Sequence, residues 1–261
     1  MNRPSLRVLV TGRPTSGKTA FSRVLAHAIG CPMIDADEVR GEANDWDFSV
    51  AGRERQAQRM RDKADAIGGV VVASFVCPTE RTRAIFDAHF LIFLELHGPS
   101  PHADTDALFQ PPRFYDVRMW RFPLPEEIRD LAADVMRGLP QGYVLGRFQP
   151  WHIGHQMLAE EAIRRHGLVT IHVRAAQRDE RNQYGFADVC RGVDAMMARR
   201  GVPRCAYRVE SAANVAGVYY GRDVGYSVER VRLPAEVEAV RATDIREGVL
   251  TRRKAGDTVA P

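Results

Sequence analysis

The stretch Gly12-Arg13-Pro14-Thr15-Ser16-Gly17-Lys18-Thr19 decides how the first half of the chain is read. It fits GxxxxGK[ST] and lies between an apolar run, Leu6 to Thr11, and a segment with apolar residues at helical spacing, Thr19 to Ile29. Glycines at those positions let backbone N–H groups wrap the β- and γ-phosphates of a nucleotide. Lys18 adds positive charge, the helix start adds its dipole, and the Thr19 hydroxyl is suited to ligate Mg²⁺. Gly12, Thr15, Ser16, Gly17, Lys18 and Thr19 are therefore the expected nucleotide-binding set. A Gly-rich turn with no ligand is the plainer alternative, and the flanking strand and helix disfavour it.

Outward from this loop, strands and helices alternate. Short strands are expected at Pro32 to Ile34, Val70 to Phe75 and Phe90 to Leu96, with helices at Arg53 to Ile67 and from Arg81 to Phe86. Such alternation argues for a parallel sheet covered on both faces. Asp35-Ala36-Asp37 closes the second strand, at the carboxyl edge where ligands of open α/β sheets bind. Two carboxylates there suit Mg²⁺ or take a proton from an attacking hydroxyl; Asp37 as a helix cap is the plainer reading. Between Gly98 and Pro125 the pattern dissolves into a Pro-rich, aromatic stretch, expected to be a lid or a wrapping segment. A helix over Glu126 to Met136 follows, and Gly138-Leu139-Pro140-Gln141-Gly142 punctuates the chain.

The alternation then restarts. Strands are expected at Tyr143 to Leu145, Val169 to Val173 and Ala206 to Val209, helices at His155 to Arg165 and Phe186 to Arg199, a further element at Val215 to Tyr220, and a last helix near Thr243. At the first strand-to-helix junction stands Gly146-Arg147-Phe148-Gln149-Pro150-Trp151-His152-Ile153-Gly154-His155, which contains HxGH. Two imidazoles beside a helix N-terminus can hydrogen-bond the phosphates of a nucleoside triphosphate and stabilise charge that builds during attack on the α-phosphorus. Gly154 leaves room for a nucleotide against the backbone. Downstream, Thr243 suits a helix cap and Arg246, with Ile245 before it, a phosphate clamp one turn in.

Two resemblances sharpen these readings. Residues 34 to 40 resemble the LDGDxVR segment of adenylylsulfate kinases, and Trp46-Asp47-Phe48-Ser49 through Arg53 and Gln56 to Arg59 resemble a second motif of that family. Val76-Cys77-Pro78 with Arg83 resembles a third. The resemblance spans about residues 6 to 96. It implies that Arg40 and Arg53 bind the acceptor's phosphate, with Phe48 beside its base and Gln56 nearby. The chain carries Gly52, Gln56 and Cys77 where the family has Asp, Asn and Ser, and the family's lid is replaced by Pro99 to Pro112. Kinase chemistry is thus implied and sulfate chemistry is not; Asp104-Thr105-Asp106 and Phe109 are either a different acceptor wall or a surface loop.

The GRFQPxHxGH stretch resembles nicotinamide mononucleotide adenylyltransferases, as does the Arg241-Ala242-Thr243-Asp244-Ile245-Arg246 segment. Ala175-Ala176-Gln177 resembles their SAQ segment. Gly146, Arg147, Phe148, Gln149, Pro150, His152, Gly154, His155, Thr243, Ile245 and Arg246 are the nucleotide-binding residues this resemblance implies. Tyr220-Gly221-Arg222 sits where the family carries SGN, so Arg222 stands on the acceptor side in place of Asn.

The fold class expected is α/β: two open parallel-sheet domains, a P-loop kinase fold over residues 1–138 and a Rossmann-like HxGH nucleotidyltransferase fold over 143–261. The function expected is bifunctional, ATP-dependent phosphorylation of a small-molecule hydroxyl plus nucleotidyl transfer to a phosphate-bearing acceptor. Lys18, Asp35, Asp37, His152, His155 and Arg246 are its expected catalytic groups, with ATP and Mg²⁺ as cofactors and Thr19, Asp35 and Asp37 around the metal. Nicotinamide riboside salvage to NAD uses both activities in series. Synthesis of 3′-phosphoadenylylsulfate, cytidylyl transfer, and a nucleotide sensor with an inactive kinase domain are the alternatives.

Bulk composition bounds the remaining classes. With 45% hydrophobic and 27% charged residues the chain reads as an ordinary globular protein. Its formal charge of +4 comes from scattered arginines, lysine occurring only at Lys18, Lys63 and Lys254. That distribution suits phosphate-bearing small molecules and argues against nucleic acid, for which only Phe109 to Phe122 with Arg113, Arg118 and Arg121 offers interleaved aromatics. The four cysteines lack metal-ligand spacing and read as reduced thiols, and Val8-Leu9-Val10 is too short for a signal peptide. A soluble cytoplasmic protein without a membrane segment is expected, and a homo-oligomer is compatible with it.

Overall fold

The computed structural model describes residues 3–96, 102–217, 219, 225 and 227–246, the last without its side chain. The chain divides into two compact units at Pro140/Gln141.

The N-terminal unit is built on a five-stranded parallel sheet. Its strands are β1 (Ser5–Gly12), β2 (Met33–Asp35), β3 (Gly69–Ser74), β4 (Phe90–Leu94) and β5 (Val117–Met119), in the order β2-β3-β1-β4-β5. Every residue of β3 is buried, as is every residue of β1 after Ser5, as expected for strands covered on both faces. The helices are α1 (Lys18–Ile29), α2 (Ala36–Ala43), α3 (Val50–Ile67), α4 (Glu80–Phe86), α5 (Ala103–Leu108) and α6 (Pro125–Gly138). Leu9, Val71 and Ala73 of the sheet pack with Met60 and Ala64 of α3 and Phe86 of α4 in one core. Burying that apolar surface is the main stabilising term, at roughly 25 cal/mol per Å².

Two local devices shape the carboxyl edge of the sheet. Ser49 accepts a hydrogen bond from Gly52 N at 3.1 Å and starts α3. Thr79 and Thr82 cap α4 reciprocally. At the opposite edge Arg7, itself buried, pairs with Asp65 at 2.7 Å and Asp87 at 3.0 Å, tying β1 to α3 and to the end of α4. The stretch expected to be a lid or a wrapping segment contributes a helix, α5, and the edge strand β5. Neither was legible: α5 has six residues and β5 three, too few for periodicity to declare itself.

The C-terminal unit carries a three-stranded parallel sheet in the order β6-β7-β8: β6 (Gly142–Gly146), β7 (Val169–Arg174) and β8 (Tyr207–Ala212). Around it stand α7 (Ile153–His166), α8 (Phe186–Arg199) and the short α9 (Ala235–Glu238) and α10 (Ala242–Arg246). Val144, Ile171 and Val173 pack with Ala159 and Ile163 of α7 and Val193 and Met196 of α8. The element expected at Val215 to Tyr220 does not form over its described part, since 213–217 are irregular. Val215 N bonds back to Ala213 O, a local turn that ends β8 rather than extending the sheet. Among the described residues no helix is long and apolar enough to cross a membrane.

Candidate functional site

The phosphate loop forms between β1 and α1 as its sequence demands. Gly17 takes a left-handed conformation, φ 80°, and Thr15 another, φ 62°, so the chain curls around a hollow. A side chain at Gly12 would collide with the carbonyl oxygen of Leu94, and one at Gly17 would come within 2.8 Å of the Phe122 ring. Among the described residues no side chain caps α1, which leaves its first N–H groups and its dipole to a ligand. Lys18 is buried, its Nζ donating to Arg13 O at 2.7 Å. Burial pulls its ammonium down to about 8, against the pull of the Asp37, Asp35 and Asp106 carboxylates.

Thr19 Oγ1 donates to Asp35 Oδ2 at 2.9 Å and lies 3.4 Å from Ser74 Oγ at the end of β3. Two hydroxyls and a carboxylate form a hard-oxygen set that fits Mg²⁺ alongside phosphate oxygens. Asp35, not Asp37, caps α2, accepting from Asp37 N at 3.0 Å. That corrects the capping expectation and leaves the Asp37 carboxylate clear of the cap. Ser74 was not singled out in the sequence; its signal was its place at a strand end beside the loop.

These groups share one cavity of about 810 Å³, lined by Lys18, Thr19, Asp35 and Asp37 on one side and by Arg40, Phe48, Arg53 and Gln56 on the other. The second group is the acceptor set expected from sequence, and its hydrogen bonds are spent largely on the protein itself. Arg40 donates to the carbonyls of Asp45 and Asp47 at 3.0 and 3.2 Å and lies over the Phe48 ring, 4.6 Å from its centre. Gln56 Nε2 holds Ala36 O at 3.0 Å, bracing the start of α2. Arg53 donates through Nε to Phe48 O at 2.8 Å and through one terminal nitrogen to Thr105 Oγ1 at 2.9 Å and Asp104 Oδ2 at 3.3 Å. Asp104 and Thr105 therefore form a wall of this cavity, together with His102 and Trp46, which sequence reasoning missed. Phe109 is buried, stacked on Phe93 with the Arg13 guanidinium 5.4 Å from its ring centre.

In the C-terminal unit the HxGH stretch leaves β6 and enters α7. Phe148 turns through φ 52°, the Gln149–Pro150 peptide is cis, and Phe148 and Trp151 are buried. Gln149 is clamped to the backbone of Tyr184 in both directions, at 2.9 and 2.8 Å. His152 caps α7, its Nδ1 accepting from Gly154 N at 3.2 Å, so in the neutral ring the proton sits on Nε2. The His152 and His155 rings lie 3.7 Å apart between centres. His155 packs against Phe148 and Trp151, and its Nδ1 is buried with no hydrogen-bond partner among the described residues. Burial lowers His152 to about 4 and His155, further opposed by the neighbouring imidazole, to about 3. An orphaned buried nitrogen beside a free donor fits a ligand rich in oxygen atoms.

Not every expected residue joins this pair. Arg147 is exposed, Thr243 stands exposed in α10 with Ile245 beyond it, and the side chain of Arg246 lies outside the described residues, as do Tyr220, Gly221 and Arg222. The unit's cavity of about 420 Å³ is lined by Phe148, Pro150 and Trp151 and by Asp188, Arg191 and Asp194 of α8, but not by the two histidines. Behind the motif, Trp151 Nε1 donates to Gln156 Oε1 at 3.1 Å, Gln156 to Glu160 at 2.9 Å, and Glu160 pairs with Arg200 at 2.7 Å.

No protein-family model and no curated protein matches the sequence. Among solved structures, the chain is similar to an APS kinase, CysC, of Mycobacterium tuberculosis in complex with AMPPNP and APS, at 19% identity over 52% of this chain and 99% of that one, with a TM-score of 0.43. It is likewise similar to a gluconokinase from Sinorhizobium meliloti 1021, at 18% identity over 52% and 94% with a TM-score of 0.39. A shikimate kinase from Aquifex aeolicus shows 14% identity over 51% and 97%, with a TM-score of 0.36. The fold itself is α/β with parallel sheets.

Proposed function

We propose that the N-terminal unit transfers the γ-phosphoryl group of ATP to a hydroxyl of a small molecule, and that the C-terminal unit joins a phosphate-bearing acceptor to a nucleotide with release of pyrophosphate. The observation that carries the first half is the buried Lys18 ammonium inside a glycine-wrapped loop, on the same cavity as Thr19, Asp35 and Asp37. Loop amides and Lys18 hold the β- and γ-phosphates while Asp37 accepts the proton of the attacking hydroxyl. The acceptor oxygen bonds to the γ-phosphorus, the bond to the β,γ-bridging oxygen breaks, and ADP leaves. Thr19 and Asp35 would hold Mg²⁺, which would supply positive charge to offset that of the phosphates.

In the C-terminal unit, the Nε2–H of His152 and the Nδ1 of His155, where that nitrogen carries the ring proton, supply donors beside a helix N-terminus. Their burial makes each hydrogen bond to a phosphate stronger than it would be in water. Nicotinamide riboside, phosphorylated by one unit and adenylylated by the other, is the substrate pair that uses both. Full-length protein incubated with ATP, Mg²⁺ and nicotinamide riboside should yield the mononucleotide and then NAD by mass spectrometry. Lys18→Ala should abolish the mononucleotide, and His155→Ala only the NAD. Absence of both products from the wild type removes this substrate, and persistence of phosphoryl transfer in Lys18→Ala removes the kinase reading itself.

A further inference from the structure

We propose that the segment 102–110 selects the kinase acceptor by charge, admitting an uncharged or cationic hydroxyl compound with a flat ring and rejecting one that already bears phosphate or sulfate. The inference rests on the kinase reading of the N-terminal cavity and names the acceptor class for it.

The segment is stitched across the open edge of the sheet at three points. Arg13 of the phosphate loop donates to Asp106 O at 2.9 Å and pairs with its carboxylate at 3.5 Å. Arg53 is held by Thr105 and Asp104. Gln110 N donates to Pro78 O at 2.7 Å, and Gln110 Oε1 accepts from Glu80 N at 3.1 Å. The strap thus reaches from the phosphate loop, past the acceptor wall, to the loop that follows β3.

Its chemical effect falls on Arg53. This is a buried cation, and the terminal nitrogen that would otherwise face an acceptor anion is committed to a hydroxyl and a carboxylate of the strap. The cavity lining then holds Lys18, Arg40 and Arg53 against Asp35, Asp37 and Asp104, and Lys18 belongs to the nucleotide. An anionic acceptor would meet the Asp104 carboxylate and compete with it for Arg53; a neutral or cationic one pays neither cost. What the wall does offer is aromatic surface: Trp46 and Phe48 line the cavity with about half of each side chain exposed, at 53% and 49%. A ring carried by the acceptor stacks there. The reaction remains the transfer described above, from the acceptor's hydroxyl oxygen to the γ-phosphorus, with ADP and a proton released.

Nicotinamide riboside and adenosine, against adenylylsulfate and adenosine 5′-phosphate, test the charge rule in the full chain with ATP and Mg²⁺. Where turnover occurs, the wild type should favour the unphosphorylated compounds by at least about tenfold in kcat/KM, the ratio that one such charge contact commonly sets. Asp104 is exposed, so Asp104→Asn should fold as the wild type does, with an unchanged unfolding midpoint, and should shift the ratio about tenfold toward the anionic compounds. Binding of the same four compounds with AMPPNP present, read by the fluorescence of Trp46, gives the ranking independently of turnover. A wild type that prefers adenylylsulfate, an Asp104→Asn ratio that does not move, or binding of none of the four overturns the proposal. Failure of the kinase reading shows separately, as AMPPNP binding indifferent to Lys18→Ala.

Discussion

In the N-terminal unit the Lys18 ammonium is buried within electrostatic reach of Asp35, Asp37 and Asp106, whereas in the C-terminal unit His152 and His155 are buried against each other and the Phe148 and Trp151 rings. The first pocket is charged and counterbalanced before any nucleotide arrives. The histidine pair is electrically neutral at pH 7, since burial holds both imidazoles well below their usual range. On the proposed function, the first would meet a triphosphate with fixed charge in a wrapped loop and the second with neutral donors whose protonation follows the ligand.

Substitutions at each centre should separate the two. The largest effect is expected from Lys18→Ala, which should lower ATP-dependent phosphorylation by about a thousandfold or more while leaving pyrophosphate release by the other unit intact when the phosphorylated acceptor is supplied. Parallel assays of ADP and pyrophosphate check this, and loss of both activities together would break the comparison. His155→Ala should cut pyrophosphate release by roughly a hundredfold, the usual scale for losing one transition-state donor, with phosphorylation unchanged. Gln156→Leu strands the buried Trp151 N–H and removes one donor to Glu160, which keeps Arg200, so it should lower the stability of the C-terminal unit by about 1–3 kcal/mol, read from its denaturation midpoint.

The smallest effect is the pH response, and it is the most specific to the contrast. An imidazole held below its unfolded value of about 6.5 is protonated first in the unfolded chain. Stability of the C-terminal unit should therefore fall as pH drops from about 6.5 toward 4, and His155→Phe should flatten that slope. A bound triphosphate raises both imidazoles, so nucleotide affinity at this site should grow a few-fold between pH 7 and pH 5.5. In the N-terminal unit the same sign is expected, displaced to the alkaline end: Lys18 begins to lose its proton near pH 8, and ATP should bind more weakly above it. Calorimetry in buffers of different ionisation enthalpy reports the proton uptake; no uptake at the histidine site contradicts the neutral-pair picture.

Much of this was legible where a motif coincides with regular structure. Gly12 to Thr19 and Phe186 to Arg199 fall where periodicity and glycine chemistry place them, because burial on one face and positive φ at Gly17 are local demands. The strap was not legible. Its helix is one and a half turns long, and its meaning lies in contacts from Asp104 to Arg53 and from Asp106 to Arg13, fifty and ninety residues apart in sequence, which no local pattern encodes. Arg53 itself was recognised as a pocket residue, but its partner was not, so a free anion-binding cation was expected where the structure has a paired one. In the C-terminal unit the histidine pair was legible from HxGH, whereas the Trp151–Gln156–Glu160–Arg200 chain behind it joins the approach to α7, α7 itself and the end of α8, and needed the fold to appear.

The central proposal is that the Lys18 loop and the His152–His155 pair each hold one nucleoside triphosphate. Equilibrium dialysis of the full chain against saturating ATP and CTP with Mg²⁺ counts them directly. Two triphosphates per wild-type chain are expected, one in Lys18→Ala, one in a variant carrying both His152→Ala and His155→Ala, and none when all three changes are combined. A single triphosphate per wild-type chain, lost entirely in Lys18→Ala and retained in the histidine variant, contradicts the account.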